Sequence, residues 1–412
     1  MSDKLYGNAW QEVDLSAARY NIMKIRESVD VPIAAVVKAD AYGHGIERMA
    51  ELFYQEGAAV IATANQREAL RLRRKFPDMP LWVMGALGSP PNPPNHPDKS
   101  ADLSGTPVIW RGGLISEDLV EACVKNKIML SVGSADEAEA VSRISHFETA
   151  YVQIKIDTGF HRLGIPACDA VRDIIRISRL PNIHVAGIFS HLTLSTKSAD
   201  EKQDALFRNI YDELAEHGLR YPRGMADSIA LYRYPEMRYD TARVGALLYG
   251  CKSRETPFEP MRVMRVCARI VSIREIEEGD ICGYDETWRA ARRTRIATLP
   301  IGYADGVPRR LRERGETALN GRRARYVGLP CMDQCMIDVT DIPAKIGDTV
   351  TLFGGNGADS ISFEEYAAWL STNRNECMCA MGRRVPRVYA DGGEVVAVDD
   401  PLVRERSGVQ CP

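Results

Sequence analysis

A lysine at the end of an apolar run is the residue best placed for covalent chemistry. Lys38 follows Val31-Pro-Ile-Ala-Ala-Val-Val37, and Gly43 and Gly45 come soon after it. A partly desolvated amine loses its proton more easily, and the neutral amine can form a Schiff base with an aldehyde. The two glycines would let the backbone approach a bound ligand closely. On chemistry alone, a lysine that merely reaches solvent from a strand end is an equally good interpretation.

Eight strand candidates predict the elements that would position this lysine. They alternate with helical or loop segments, as in a (β/α)₈ barrel. The candidates are Val31–Val37, Ala58–Ala64, Leu81–Gly85, Ile128–Gly133, Tyr151–Asp157, His184–His191, Gly224–Ser228 and Thr241–Gly245. Barrel enzymes place their catalytic groups at the C-terminal ends of such strands, where Lys38 stands. We therefore predict an α/β fold with an N-terminal, TIM-like (β/α)₈ barrel over residues 12–252.

The pattern changes after about residue 255, where short alternating runs lie between glycines and prolines. Such runs are typical of an antiparallel sheet. The runs are Val263–Ile273, Arg295–Leu299, Ala324–Val327, Cys335–Val339 and Thr349–Phe353. We predict a mostly antiparallel β-domain over residues 253–412, to which residues 1–11 are expected to pair. The Pro-rich segment 88–107 is predicted to be an inserted surface loop, and residues 408–412 a disordered tail.

Composition excludes several classes of partner. The 412 residues are 45% apolar and 26% charged, with a net charge of −3, so no strong field would attract nucleic acid or an anionic membrane. No apolar stretch is long enough to span a bilayer, and the first residues do not resemble a signal peptide. The ten cysteines are scattered without zinc-site spacing. We expect a cytoplasmic protein with reduced thiols and no metal.

Motifs spread along the chain resemble those of the alanine racemase family, which are fold type III pyridoxal-phosphate enzymes. The signature around the cofactor lysine of that family is similar to Val36-Val-Lys38-Ala-Asp-Ala-Tyr42-Gly-His-Gly45. Further motifs occur in the family's order. They are Lys155-Ile-Asp-Thr-Gly-Phe-His-Arg162-Leu-Gly164, Gly187-Ile-Phe-Ser-His191, Asp227-Ser228, Arg243-Val-Gly245, Gly283-Tyr284, Ile301-Gly-Tyr303-Ala-Asp305-Gly306, Gly328-Leu-Pro-Cys-Met332-Asp333-Gln334 and Arg384-Val-Pro-Arg387. The resemblance runs almost from end to end and favours the catalytic interpretation of Lys38.

The resemblance implies how pyridoxal 5′-phosphate would be held. Lys38 would carry it covalently. Its phosphate would bind Tyr42, Ser228 and the backbone amides of Gly245 and Ala246. Arg243 would donate a hydrogen bond to the pyridine nitrogen. Because an arginine can donate but not accept, the ring nitrogen would stay unprotonated, which disfavours a long-lived carbanion and the side reactions that follow from it.

The resemblance also implies a proton exchange between two bases, which interconverts L- and D-alanine. Lys38 would act on the D-substrate, and Tyr284 from the second subunit would act on the L-substrate. A phenol has an ordinary pKa of about 10 and is a poor base, so its surroundings must help it. His191 and Arg162 are expected to form that support. Sites built from two chains imply a homodimer.

Further residues are implied to bind the amino-acid substrate. Arg162 and the backbone amide of Met332 would hold the carboxylate. Tyr303 and Asp333 would shape and support the entrance to the site. Lys155 is expected to be carbamylated by carbon dioxide, giving an anion that fixes Arg162; an unmodified lysine is the simpler state.

Two positions depart from the family pattern. Asp227 stands where asparagine is usual, which alters the charge near the phosphate. Counting back from Arg384 without gaps, Asn375 stands where many members have a tyrosine that touches the phosphate and crowds the substrate methyl group. Serine racemases of the glycopeptide-resistance type have asparagine there, so this chain could act on serine as well as alanine. A neutral lineage difference is an equally good explanation.

Two rival functions remain at this point. One is a non-catalytic barrel that binds pyridoxal phosphate, but such proteins lack a β-domain with Tyr284 and Met332. The other is a pyridoxal-phosphate decarboxylase, a class that pairs the pyridine nitrogen with a carboxylate rather than with Arg243. D-alanine supply for peptidoglycan is the usual role of the family, but the sequence does not distinguish it from catabolic or resistance roles.

Overall fold

The computed structural model describes residues 7–87, 116–382 and 384–403. The Pro-rich segment 88–107 and the tail 408–412 lie outside the described residues. Within the described ranges, no helix is both long and apolar enough to cross a membrane.

The first half of the chain forms a nearly closed barrel of parallel strands. Its strands, in sheet order, are β10 (Ala242–Val244), β2 (Ile33–Val36), β3 (Val60–Thr63), β4 (Leu81–Val83), β5 (Met129–Val132), β6 (Ala150–Asp157), β8 (Ile183–Phe189) and β9 (Arg223–Gly224). A short strand, β7 (Ile165–Pro166), pairs with β6. The gap between β9 and β10 is bridged where Arg243 N donates to Ala226 O at 2.9 Å. All eight predicted barrel strands are confirmed.

Helices connect these strands on the outside of the barrel. They are α1 (Leu15–Ser28), α3 (Ile46–Gln55), α4 (Gln66–Lys75), α5 (Glu117–Lys125), α6 (Ala135–Ile144), α7 (Ala170–Ser178), α8 (Lys197–Glu216) and α9 (Ala230–Arg233). The short segment α2 (Lys38–Tyr42) is instead a left-handed turn that directly follows β2. Several begin at side chains that accept the first free backbone N–H groups, as Asn65, Ser134 and Thr196 do. Because the barrel strands run parallel, the loops that follow them gather at one end of the barrel.

The second half forms the predicted, mostly antiparallel sheet. Its order is β12 (Ser272–Ile276), β13 (Thr294–Leu299), β16 (Cys335–Asp338), β15 (Arg322–Val327), β14 (Glu316–Leu319), β17 (Thr349–Gly354), β11 (Met264–Arg269), β1 (Ala9–Asp14), β18 (Arg387–Asp391) and β19 (Glu394–Asp399). Two helices, α10 (Phe363–Leu370) and α11 (Arg374–Cys379), precede β18. Among the described strand pairs of this second sheet, only β1 and β18 run parallel.

The chain passes through the β-domain sheet before it enters the barrel. Strand β1 lies between β11 and β18, and Gln11 pairs with Arg387. Asp14 then caps α1, because its Oδ1 accepts from Ala17 N at 2.9 Å. One cluster of buried apolar side chains extends through both domains. This shared core holds β18 and α11 against the end of the barrel that carries Lys38.

Candidate active site

A pocket of about 500 Å³ opens at the C-terminal ends of the barrel strands. It contains every predicted site residue of the barrel, together with one from α11. These are Lys38, Tyr42, Lys155, Arg162, His191, Asp227, Ser228, Arg243, Gly245, Ala246 and Asn375. Residues that are far apart in sequence meet here because parallel strands all end at the same rim.

Lys38 directs its amine into this pocket from the end of β2. Its side chain reaches the open cavity, yet the surrounding walls remove part of its hydration. This partial burial, with the nearby charge of Arg162, lowers the pKa of Lys38 below its ordinary value of 10.5. The amine therefore becomes neutral more readily than a lysine on an open surface, which is the state that an aldehyde requires.

An anion-binding corner lies beside Lys38. Gly245 N donates to Ser228 Oγ at 2.9 Å. A methyl group on Gly245 would lie only 2.4 Å from the hydroxyl oxygen of Tyr42, so these groups converge tightly. The ring of Tyr42 packs against Tyr249 with 4.8 Å between ring centroids, which fixes the position of the hydroxyl. Hydroxyl groups and backbone amides concentrated in this way suit a phosphate.

Arg243 lies at the base of the pocket and is 6% exposed. Its Nη2 donates to Ser190 O at 2.6 Å and to Met225 O at 3.0 Å. Its Nη1 is buried and has no hydrogen-bond partner among the described residues. Burial lowers the pKa of Arg243 to about 10, so the group stays charged at neutral pH. A buried charged donor without a partner is costly, which indicates that a ligand acceptor belongs beside it.

His191 lies among cationic side chains. Burial, followed by the charges of Arg243 and Arg162, lowers the pKa of His191 to about 3. The imidazole is therefore neutral at physiological pH. Any positive charge that supports a phenolate here must come from an arginine rather than from His191.

The ring of Phe160 contacts both His191 and Arg162. From the sequence alone, no role was predicted for Phe160. Its ring packs on His191 at 5.0 Å, and the guanidinium carbon of Arg162 lies 4.3 Å from the centre of the same ring. The aromatic ring therefore orients both groups. Its position two residues before Arg162, within the same motif, is the sequence feature that could have indicated this role.

Lys155 is 8% exposed and its neighbours are mainly cations. Burial, then the charges of Arg162 and Arg243, lower the pKa of Lys155 to about 8. A buried amine in such surroundings is easily neutralised. It would gain further from conversion to an anion, since the arginine charges would then be attractive.

Four predicted residues do not line this pocket in the single chain. Tyr284, Tyr303, Met332 and Asp333 lie on the β-domain, and the first three are 65%, 43% and 53% exposed. Tyr303 lies close to Met332 and Asp333. The two loops are joined because Tyr303 N donates to Cys331 O at 2.9 Å and Ala304 N donates to Met332 O at 3.0 Å. Their exposure leaves them available to another chain.

The two departures from the family pattern both lie at the pocket. Asp227 Oδ1 accepts from Ile229 N and Ala230 N, each at 2.9 Å. The acid thus binds two backbone N–H groups at the start of α9, a role that an asparagine oxygen could fill equally well. Its charge opposes the lowering of the pKa of Arg243. Asn375 reaches the pocket from the first turn of α11.

Both domains match models of one protein family. Residues 13–95 and 99–253 match the N-terminal domain of alanine racemase, and residues 263–389 match its C-terminal domain. Alanine racemase 1 of Clostridium acetobutylicum is 33% identical over 402 residues, which cover 94% of this chain and 97% of that relative. Alanine racemase of Methanococcus maripaludis is 33% identical over 396 residues, which cover 92% and 98%.

Solved structures agree with the sequence matches. Alanine racemase of Clostridium difficile 630 superposes with a TM-score of 0.85 at 29% identity, covering 97% of this chain and 100% of that one. The Bacillus anthracis alanine racemase with bound L-Ala-P superposes with a TM-score of 0.83 at 29% identity, covering 97% and 99%. The β-domain is included in these matches, which argues against a non-catalytic barrel. This chain therefore belongs to the alanine racemase family of pyridoxal-phosphate-dependent isomerases.

Proposed function

We propose that this enzyme interconverts L- and D-alanine, with Lys38 and Tyr284 of the partner subunit exchanging the α-proton from opposite faces. One observation carries the proposal. The amine of Lys38, whose pKa is lowered by partial burial, shares a pocket with an anion-binding corner and with Nη1 of Arg243, for which the described part of the chain offers no acceptor. An amine, a phosphate site and a donor for a ring nitrogen are the three contacts that pyridoxal phosphate requires.

The residues present fit this cofactor. The hydroxyls of Tyr42 and Ser228, with the amides of Gly245 and Ala246, would hold its phosphate. Arg243 would donate Nη1–H to the pyridine nitrogen and leave it unprotonated, since a guanidinium has no lone pair to accept a proton. When bound, the cofactor supplies a conjugated ring that acidifies the α-carbon of the substrate.

The proton exchange depends on two bases with different support. Lys38 takes or returns the proton on one face as a neutral amine. Tyr284 of the partner subunit does so on the other face as a phenolate. Neutral His191 can donate a hydrogen bond to that oxygen, and Arg162, held on the Phe160 ring, supplies the positive charge. A donor and a fixed charge together lower the cost of forming the phenolate.

Substrate binding draws on both chains. Arg162 and the partner's Met332 amide would hold the carboxylate, while Tyr303 and Asp333 of the partner subunit would shape the entrance. Asp333 is already fixed, because Arg384 Nη2 donates to its Oδ1 at 2.7 Å. Carbamylation of Lys155 would place an anion beside Arg162 and hold the guanidinium in position.

A two-fold dimer would form two such composite sites. A complementation experiment tests this. Lys38→Ala and Tyr284→Phe homodimers should each lose nearly all racemase activity, measured from both L- and D-alanine. Subunits mixed by co-expression should regain about one quarter of the wild-type activity, because half the dimers are mixed and each has one intact site. Mixed dimers that remain inactive would show that residue 284 does not act across subunits.

A second candidate is racemisation of serine as well as alanine. The side chain of Asn375 lines the pocket, where it adds an amide donor and acceptor and occupies less volume than a tyrosine. A substrate hydroxymethyl group could be accommodated and hydrogen-bonded there.

A further inference from the structure

The segment after Lys38 has an unusual backbone. Ala39, Asp40, Ala41 and Tyr42 have φ values of +54°, +53°, +58° and +52°. An L-residue in the left-handed region is strained, because its Cβ lies too close to the following carbonyl oxygen, so a run of four must be held by its surroundings. This left-handed turn links Lys38 to Tyr42, and therefore links the amine to the anion-binding corner.

A residue of the β-domain binds the left-handed turn and the glycine that follows it. Arg387, in β18, places Nη2 2.6 Å from Asp40 Oδ2. Its Nε donates to Gly43 O at 2.9 Å. The side chain of Arg387 is only 12% exposed. The other oxygen of Asp40 accepts from Ile46 N at 2.9 Å, so the carboxylate is held from two sides.

Neighbouring residues complete the contact from the same domain. Gln11, the register partner of Arg387, donates from Nε2 to Gly43 O at 2.9 Å. Tyr389 donates from its hydroxyl to His44 O at 3.2 Å. His44 is fully buried, and its Nδ1 bonds the carbonyls of Ala41 and Tyr42 from within. The carbonyls of the turn and of the residues that follow it are thus used by fixed donors.

We propose that Arg387 is a positioning residue for Lys38. Its paired contacts with Asp40 and Gly43 hold the left-handed turn, and the turn sets the direction of the lysine amine relative to Tyr42. The inference rests on the proposed function of Lys38. It also means that, within one chain, the contact between the β-domain and the barrel helps to position Lys38.

Arg387→Ala and Arg387→Lys test this assignment. Pyridoxal phosphate is added to each apoenzyme, and its covalent attachment is followed by visible absorbance and by borohydride trapping at Lys38. Arg387→Ala should slow attachment roughly tenfold or more, since small misplacements of a reacting group are costly. Arg387→Lys should recover part of the rate, because it can pair with Asp40. Guanidinium ion added to Arg387→Ala should also recover part of it.

Arg19→Ala is the matched control. Arg19 also joins the barrel to the β-domain, with Nη1 and Nη2 at 2.9 and 3.0 Å from the two oxygens of Asp391. Its partners, Glu56 and Asp391, lie outside the left-handed turn. Arg19→Ala should lower the Tm without slowing attachment. Equal slowing in both variants, or none in Arg387→Ala, would overturn the assignment.

Asp40→Asn provides the test if Arg387→Ala does not fold. An amide oxygen can still accept from Ile46 N, but the ion pair with Arg387 is lost. Attachment should again slow, and an unchanged rate would overturn the assignment. A wild-type enzyme in which the cofactor fails to attach at Lys38 would instead refute the proposed function itself.

Discussion

Arg243 and Ser190 are joined by a short hydrogen bond, in which Nη2 donates to the carbonyl oxygen at 2.6 Å. The bond turns the guanidinium so that Nη1 is left without a protein partner among the described residues. Barrel backbone therefore orients the donor that would meet the pyridine nitrogen. The electronic character of the cofactor would depend on this one contact.

Arg243→Gln should change both the rate and the fidelity of the reaction. An amide can accept as well as donate, so the ring nitrogen could then be protonated and the carbanion would live longer. We expect racemisation to fall by about 10²-fold, as for loss of one preorganised charged donor. Pyruvate formed by transamination should rise relative to racemised alanine. A slower variant that produces no additional pyruvate would contradict this role of Arg243.

Gly245→Ala should weaken cofactor binding by steric conflict with Tyr42. The added methyl group would lie 2.4 Å from the Tyr42 hydroxyl oxygen, and the ring cannot easily retreat because Tyr249 packs against it. We expect the Kd for pyridoxal phosphate to rise by about 10- to 100-fold, or roughly 1.4–2.8 kcal/mol.

Tyr42→Phe provides the control for Gly245→Ala. It removes the clashing oxygen, so adding Gly245→Ala in the Tyr42→Phe background should cost less than in the wild type. Titration of cofactor absorbance on all four proteins of the cycle measures this. Strictly additive losses would exclude the proposed contact.

Lys155 should make stability depend on pH and on carbon dioxide. Its pKa is lowered from 10.5 to about 8, so the folded chain releases this proton at lower pH than the unfolded chain. Its contribution to stability should therefore rise between about pH 8 and 10.5. Below pH 8 the buried charge should cost on the order of 2 kcal/mol after allowance for solvent screening.

Thermal melts of Lys155→Met test this cost. In buffer free of carbon dioxide at pH 7, the variant should have a higher Tm than the wild type. The difference should shrink as the pH is raised towards 10. Added bicarbonate should raise the Tm of the wild type alone, because only Lys155 can be carbamylated at this place. Equal stabilisation of both proteins would refute the modification.

Asp227→Asn should tighten the binding of the cofactor phosphate. The asparagine oxygen can still accept from Ile229 N and Ala230 N, while the negative charge beside Ser228 disappears. We expect a two- to fivefold lower Kd for pyridoxal phosphate, roughly 0.4–1 kcal/mol. The gain should diminish in high salt, as screening predicts. A weaker affinity in the variant would show that the acid has another role.

Asn375→Tyr should narrow the substrate range. The larger ring would occupy space beside the substrate side chain and remove the amide group. We expect kcat/KM for L-serine to fall about tenfold or more relative to that for L-alanine, as when a hydrogen-bonding site for a hydroxyl is removed. Measuring kcat/KM for L-serine and L-alanine on the wild type and on Asn375→Tyr tests this expectation. An unchanged ratio would make Asn375 a neutral difference.

Much of the fold follows from local patterns in the sequence. Continuous apolar runs identified the barrel strands, because a strand buried on both faces needs apolar residues at every position. Alternating runs identified the strands of the β-domain, because a strand buried on one face needs them at every second position. The position of Lys38 at a strand end followed from the same pattern. Its chemistry did not, since a lysine at a rim and a cofactor lysine look alike until other motifs are considered.

Other features depend on contacts between distant parts of the chain. The left-handed turn after Lys38 consists largely of small residues that favour no such conformation. Arg387, 344 residues after Gly43, binds Asp40 and Gly43 from the β-domain, and Gln11 binds Gly43 from the same sheet. The neutrality of His191 and the stacking of Phe160 arise in the same way, from charges and rings that meet only when the strands close into a barrel. Hydrogen bonds and electrostatic fields act through space, so only the tertiary structure decides them.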